Sequence, residues 1–544
     1  MKWTRYVFFI FWALTLLSFI PSIGAGFVFD FLGWQNAYAH GSFRDILNCF
    51  GYPGNQQFLH LVFYSFYKIF GIQGFWWYLF FCTLHALNGY ILYLFILRIG
   101  QKWGGAISPV LAALCAVLFL LHPYEIEAVV WKVCVHYLLS CTELLLIFLA
   151  FLSYTESGER KMILCGSLIF LISLFTLELS LITPLALTLF GLISYLISAN
   201  HNKQILTRGL RFTGITWLLT ICYLILNKIT LGSIVGHYGE KVHLQFNLIT
   251  IVSTEMKYLF KHLFYARFYS FKIKAILFDQ FLSYPEVVFF LLTGMMSVFI
   301  LYFIKINKLA FTTHVAFLGL CTSFLFLLPV SNMYFFHLGV GMNDRYSYIP
   351  MAFLCLALAG ILSKCSGWVR ILVISIYLIP CIFYQQKTLR YWEQSTEVLQ
   401  SLKMSFRWHD APFVFVLNSP DNFNGIIMAS ISNVPSGIEE LIDFQTPHPF
   451  NGKMIDVLQF NMTTMNDGVK VEQVGPRQLK VTFNQWGNWW HRLGIGATSY
   501  ENEYYKVETL DYPYLVTFKQ IPQGSVFLYQ DGKELKEFKF DEGI

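Results

Sequence analysis

Apolar residues fill the first 386 positions in long blocks, and polar residues are largely confined to the gaps between them. Eleven blocks reach or approach the roughly 20 apolar residues that a helix needs to cross a bilayer. They cover 6–27, 75–97, 106–121, 133–153, 162–176, 181–199, 212–227, 285–304, 311–330, 346–363 and 370–386. The first could pass for a secretory signal. It is longer than the roughly 7–15-residue core of such signals, no cleavage pattern follows it, and more spans come after, so it reads as a span. The gaps alternate in charge. Lys2/Arg5, Arg98/Lys102, Arg160/Lys161, Lys203/Arg208/Arg211, Lys305/Lys308 and Lys364/Arg370 fall on one side, which the positive-inside rule makes cytoplasmic. The outer side then carries Asp30, the 122–132 loop, Glu178, the long 228–284 connection and the 331–345 loop. An odd number of spans puts everything after 386 there too.

Two connecting segments keep an apolar pattern of their own. In 43–70 the residues Phe58, Leu61, Val62, Phe66, Ile69 and Phe70 suit a helix lying along the membrane. In 256–264 Lys257, Lys261 and His262 interrupt apolar residues, which suggests an amphipathic helix on the outer leaflet. Ordinary packing helices would give the same patterns. After Gln386 the pattern changes. Residues 387–402 read as a short polar connecting helix. Alternating runs at 413–417, 480–483, 514–518 and 525–529 read as strands, and Asp531-Gly532 before Phe538-Lys539-Phe540 reads as a hairpin. The expected fold class is a polytopic α-helical membrane domain over 1–386, followed by a β-rich extracytoplasmic domain over 403–544.

Composition agrees. The 544 residues are 56% hydrophobic, 18% aromatic and only 13% charged, against about 25% charged in soluble domains. The net charge of +6 is small and follows from basic loops, so no nucleic-acid partner is implied. None of the 11 cysteines lies beyond Cys381, so the C-terminal region has no disulfide and no Cys-based zinc site. Walker, dinucleotide, H-E-x-x-H and Cys/His zinc patterns are absent.

Four polar clusters fall on the outer side: Asp30 with Trp34, Asn36 and Asn48; His122-Pro123-Tyr124-Glu125-Ile126-Glu127 through Trp131; Glu178 with Thr183-Pro184; and Asn343-Asp344-Arg345-Tyr346-Ser347-Tyr348. Each alone could be structural, as a self-neutralising pair or part of an interfacial aromatic belt. Together, each with a carboxylate, they suggest one cavity. Ionisable residues at span ends are functional candidates by default. A carboxylate there can take a proton from an acceptor hydroxyl, and an arginine fork suits a phosphate. The combination fits a transferase that takes a sugar from a polyprenyl-phosphate carrier.

At these residues the sequence resembles a known family. His122-Pro123…Glu127-Ala128-Val129-Val130-Trp131…Leu138-Leu139-Ser140 is similar to the H-P-x-x-x-E-A-V-x-W…L-L-S signature of the transmembrane and TPR-repeat O-mannosyltransferases and their bacterial relatives. Leu328-Pro329-Val330-Ser331-Asn332 and Asp344-Arg345-Tyr346-Ser347-Tyr348-Ile349-Pro350 resemble its L-P-x-S-N…D-R-Y-x-Y-x-P motif. Phe27-Val28-Phe29-Asp30 is similar to its F-x-x-D-D first-loop motif, and Trp77-Tyr78-Leu79…Leu84-His85-Ala86-Leu87-Asn88 to its second-span pattern. The resemblance covers roughly 1–400. It implies a GT-C fold and an inverting, polyprenyl-phosphate-sugar-dependent hexosyltransferase in the bacterial inner membrane, working on the periplasmic face. The chain departs from the family in three places. The paired aspartates are Asp30-Phe31, the Lys-Glu pair is Leu177-Glu178, and an Arg-Lys-Asp run is Val135-His136-Tyr137. No TPR array follows.

The expected roles follow. Asp30 is the general base, and catalytic Glu127 completes the cavity with Glu178, by orienting the acceptor or holding Arg345. Arg345, Asp344, Tyr346 and Tyr348 bind the donor phosphate. His122, Trp131 and Glu178 line the acceptor cavity. Asp30 and Glu127 could share a divalent cation; no other cofactor is expected. The acceptor is a protein Ser/Thr or an envelope glycan. Trp486, Trp489, Trp490, His491 and Arg492 suit the C-terminal domain to acceptor recognition, so donor hydrolysis should survive truncation after about Leu402. A transporter or flippase of a lipid-linked glycan is the alternative. It would be expected to carry internal repeats and mid-membrane polar residues.

Overall fold

The computed structural model describes residues 2–102, 107–198, 202–234, 247–306, 309–331, 341–428, 438–439, 442, 450–483, 489–490, 499–509 and 513–540. They form two compact units. One holds Met1–Ile23, Gly41–Val130 and Cys134–Thr388. The other holds Gly24–His40, Trp131–Val133 and Leu389–Ile544. Asp30 and Trp131 therefore belong with the C-terminal residues, a grouping that sequence order hides.

In hydrocarbon every backbone polar group must be satisfied within its own segment, so each apolar block becomes a helix. In chain order the helices begin with α1 (Lys2–Phe19), α2 (Asp30–His40, in the second unit), α3 (Gln57–Phe70), α4 (Gly74–Lys102) and α5 (Pro109–Leu121). Next come α6 (Ile126–Val130), α7 (Val135–Ser157), α8 (Arg160–Leu174), α9 (Thr183–Ile197) and α10 (Lys203–Leu231). The series closes with α11 (Leu248–Phe264), α12 (Phe271–Lys274), α13 (Pro285–Lys305), α14 (Phe311–Ser331), α15 (Tyr348–Leu362) and α16 (Gly367–Ser405). Among the described residues eight helices are long and apolar enough to cross a membrane, and a bent pair makes nine. The chain is a multi-pass membrane protein. Helix occupies most of all eleven apolar blocks, but the first ends earlier than expected. The first ends in a 3-10 turn at Ile20–Ser22, and Gly24 and Gly26 (φ +84° and +86°) then take the chain out of helix. The connecting helix is not separate: the last span and residues 387–402 form one 39-residue helix, α16.

The bent pair positions the site. Pro109–Leu121 and Pro123–Val130 meet at 50°. A residue before proline is driven out of the α region, and His122 accordingly sits at φ −69°, ψ 130°. The bend keeps Glu125 and Glu127 off a straight extension of α5. Nearby, α14 and α15 pack backbone against backbone, because Gly319 faces the Ala357 amide and Gly360 the Ala316 amide.

Helix α11 is a packing helix rather than a surface one. Its Val252 and Met256 join Phe278, Leu282 and Val288 in a buried cluster, and Lys261 and His262 are buried instead of facing headgroups. Lys261 tolerates this because a carboxylate meets it, as described below.

The second unit is β-rich. In one sheet β1 (Phe413–Val416) runs parallel to β4 (Lys453–Asp456) and β12 (Ser525–Asp531), with β13 (Glu534–Phe538) on the far edge. A second sheet is antiparallel, in the order β6 (Val469–Gly475), β7 (Gln478–Phe483), β11 (Tyr514–Phe518), β10 (Tyr505–Thr509) and β9 (Ser499–Glu501). The third joins β3 (Ile426–Ile427), β2 (Ser419–Phe423), β5 (Gln459–Met462) and β8 (Trp489–Trp490). The expected hairpin is present: β12 and β13 pair antiparallel from Asp531↔Glu534, with Gly532 at φ +62° in the turn. Strand β2, with the sequence Ser-Pro-Asp-Asn-Phe, carries no strand signal. It exists through parallel pairing to β5, with an irregularity between Pro420 and Asn422. Trp486, His491 and Arg492 lie outside the described residues.

Candidate active site

The most specific motif forms a 3-10 turn, Gly341–Ser347, leading into α15. The Ser347 hydroxyl donates to the Asp344 carbonyl at 2.6 Å and tightens the turn. Glu127 of α6 grips it. The Arg345 backbone N–H donates to Glu127 Oε2 at 2.9 Å, and Arg345 Nη1 donates to Oε1 at 2.5 Å. Nη2 reaches the Tyr346 hydroxyl at 3.2 Å, and the guanidinium lies 4.7 Å from that ring's centre. Glu127 is nearly sealed, with 5% side-chain exposure, whereas the Arg345 side chain retains 19%. The carboxylate thus fixes a cation whose edge stays accessible, a geometry suited to an anion.

On the other side of the turn Asp344 pairs with Lys261 of α11, and both side chains are buried (1% and 0% exposed). Lys261 also lies 5.1 Å from the centre of the Tyr124 ring and 5.4 Å from that of Tyr258. The Tyr258 hydroxyl donates to the Asn343 carbonyl at 3.1 Å, so α11 holds the turn through a charge pair and a hydrogen bond. Burial pushes the Tyr258 hydroxyl well above its ordinary pKa and lowers His262 to about 4, so both stay uncharged at neutral pH.

Tyr348, expected at the phosphate, is buried and engaged elsewhere. His85 Nδ1 lies 2.7 Å from its hydroxyl, and Asn88 Nδ2 donates to it at 3.1 Å. His85 Nε2 donates to the Leu120 carbonyl at 3.1 Å, so Nδ1 accepts the Tyr348 proton. The second-span pattern and the fourth motif thus meet in one buried network that positions the head of α15.

Asp30 stands exposed at the first turn of α2. The preceding Phe29 has φ +55°, a left-handed conformation that non-glycine residues seldom adopt. The loop is anchored by Trp131, whose indole N–H donates to the Val28 carbonyl at 3.1 Å. The Lys132 backbone N–H also reaches the Gly26 carbonyl at 3.1 Å. Within the second unit, then, the first-loop and second-loop motifs meet as Val28 and Phe29 with Trp131. Within the first, Glu127, Asp344, Arg345 and Tyr346 come together. Half-buried Glu178 opens a 3-10 turn at the head of α9, where the Ser180 hydroxyl lies 3.4 Å from that of Ser140.

Sequence reading missed Lys261 and Tyr258 as partners of the motif. The available signal was a lysine inside a strongly apolar stretch, which fits a buried ion pair as well as a headgroup contact. An apolar cleft of about 450 Å³ opens among α5, α11, α14, α15 and α16, with Leu259, Leu320, Met351, Leu358 and Val373 in its walls.

No protein-family model matches the sequence, and no curated protein sequence matches it. Among solved structures the chain shows low-scoring likenesses to an archaeal oligosaccharyltransferase. The oligosaccharyltransferase AglB of Archaeoglobus fulgidus, in complex with an inhibitory peptide and a dolichol-phosphate, is 11% identical over 83% of this chain, with a TM-score of 0.37. The same organism's enzyme tethered to an acceptor peptide is 11% identical over 84%, with a TM-score of 0.38. A complex of that enzyme with zinc and sulfate is 11% identical over 74%, with a TM-score of 0.32. The chain spans 64% of the length of the first two and 53% of the third. At such scores the superposition assigns no activity.

Proposed function

We propose that this protein is a membrane glycosyltransferase of the GT-C type. It moves a sugar from a polyprenyl-phosphate-linked donor to an acceptor hydroxyl, on a protein or an envelope glycan, at the periplasmic face of a bacterial inner membrane. The observation that carries the reading is the Glu127-clamped, partly accessible Arg345, set in a turn that is pinned from behind by the buried Lys261–Asp344 pair. Arg345 neutralises the departing phosphate, with Tyr346 beside it. The apolar cleft among α5, α11, α14, α15 and α16 suits a prenyl tail. Asp30 takes the acceptor proton as the acceptor oxygen bonds to the anomeric carbon and the sugar–phosphate bond breaks on the opposite face. The product is inverted and polyprenyl phosphate leaves. The N-terminus of α2 favours negative charge at Asp30, which follows Phe29 in its left-handed conformation. His122, Trp131 and Glu178 support the acceptor side.

Purified protein supplied with a polyprenyl-phosphate sugar and candidate acceptors tests this. Asp30→Asn should lower turnover by about 10²-fold or more, the scale of a lost general base. Arg345→Lys should weaken donor use, because an ammonium cannot reproduce the guanidinium fork. Wild-type turnover in both folded variants would remove the assignment, and movement of intact lipid-linked glycan without sugar transfer would favour a flippase.

A further inference from the structure

Behind the Arg345 turn lies a second group of side chains, of which the transfer reading uses only His122. Among the described residues, His122, Glu125 and His262 place one potential ligand atom each within 4.8 Å of one another. All three side chains are buried. Among the described residues, His122 Nε2, both Glu125 carboxylate oxygens and His262 Nε2 have no hydrogen-bond partner. Buried polar atoms that make no hydrogen bond are costly, so four in one place call for a common explanation.

The chemistry of the set supplies one. His262 Nδ1–H donates to the Tyr258 carbonyl at 2.7 Å, which leaves the Nε2 lone pair directed away from that bond. Metal-ligating histidines are commonly held this way by a carbonyl behind the ring. The two imidazoles lie nearly parallel, 5.3 Å apart at 17°. The Tyr124 N–H approaches His122 Nδ1 at 3.4 Å, beyond the roughly 2.7–3.2 Å of ordinary N–H bonds, and so fixes that tautomer only weakly. The carboxylate matters too. Glu127 spends both oxygens on Arg345, whereas Glu125 spends neither on a hydrogen bond.

We propose that His122, Glu125 and His262 form a binding site for one divalent transition-metal ion of the zinc class. Two imidazoles and one carboxylate are a borderline-soft donor set that suits zinc, and they leave a fourth tetrahedral position for an oxygen from solvent or substrate. The ion ties the proline bend after α5 to the end of α11, next to Lys261 and hence to the Arg345 turn. It satisfies three of the four buried atoms at once, His122 Nε2, His262 Nε2 and one Glu125 oxygen. The site is independent of which sugar, or whether any sugar, is transferred.

The test uses the full chain in detergent, stripped with a chelator and titrated with Co(II) and then Zn(II). About one equivalent of Co(II) should bind, with the visible bands of four-coordinate nitrogen–oxygen ligation, and Zn(II) should abolish them. Glu125→Gln and His262→Gln, in protein that elutes as a single species, should each weaken Co(II) binding by at least about 10-fold. Wild-type protein without such bands, or folded variants that bind as tightly as wild type, would overturn the proposal. If both variants fail to fold, the wild-type titration alone decides.

Discussion

Among the described residues Lys261 and Asp344 form the most deeply buried ion pair. Two charges are removed from water, and their attraction offsets that cost only while both are present. Removing one partner of such a pair typically costs about 3–5 kcal/mol, whereas replacing both by apolar residues is often neutral. Lys261→Met should therefore lower the thermal midpoint in detergent by several degrees, and Lys261→Met/Asp344→Leu should recover most of the loss. A single variant as stable as wild type would mean that the pair is not load-carrying. The same substitutions should depress donor use, because the Arg345 turn loses its support on the α11 side. Asp344 and Arg345 are adjacent, yet each takes a partner from elsewhere: Lys261 for one and Glu127 for the other. The neighbouring opposite charges invite a self-neutralising pair, but the turn sends the two side chains to different elements.

Among the helices, α14 and α15 are matched by glycines. A Cβ on Gly319 would lie 2.5 Å from the Ala357 amide nitrogen and 2.7 Å from the Phe353 carbonyl oxygen, both backbone atoms that cannot step aside. Small residues permit this approach between membrane helices. Gly319→Ala should destabilise by about 1–3 kcal/mol, the usual scale of overpacking, and should disturb Tyr348 at the head of α15. Gly294 on α13 meets nothing within 4 Å, so Gly294→Ala should be neutral or stabilising through helix propensity. Thermal unfolding of the two variants side by side checks the contrast; equal effects would refute it. Neither glycine is distinguishable in the sequence, because both stand in apolar helical stretches and only the neighbouring backbone tells them apart.

For the whole molecule, the instructive fact is that Gly24–His40 and Trp131–Val133 group with the C-terminal residues rather than with the helices around them in sequence. The expectation that donor hydrolysis survives removal of the C-terminal domain treats Asp30 as part of the helical domain. With Asp30 in the second unit, truncation after Ser405 should abolish transfer and hydrolysis together, while the truncated protein still inserts in membranes. Release of free sugar from a polyprenyl-phosphate donor reads this out. Hydrolysis at the wild-type rate would mean that the 24–40 loop keeps its shape alone.

The helices were legible in the sequence. Backbone groups in hydrocarbon have no partner but their own segment, so apolar block length translates into helix whatever the packing. The sequence also determined the β12–β13 hairpin, whose Asp-Gly turn is a local conformational demand, and it marked Glu127 and Arg345 as residues to watch. Tertiary structure alone decided the partners. Glu127 and Arg345 are 218 positions apart, Lys261 and Asp344 83, and His122 and His262 140. Periodicity reports only the environment along one element. Which distant side chain completes a charge, a hydrogen bond or a ligand set depends on how elements meet, and that leaves no trace in the local pattern of residues.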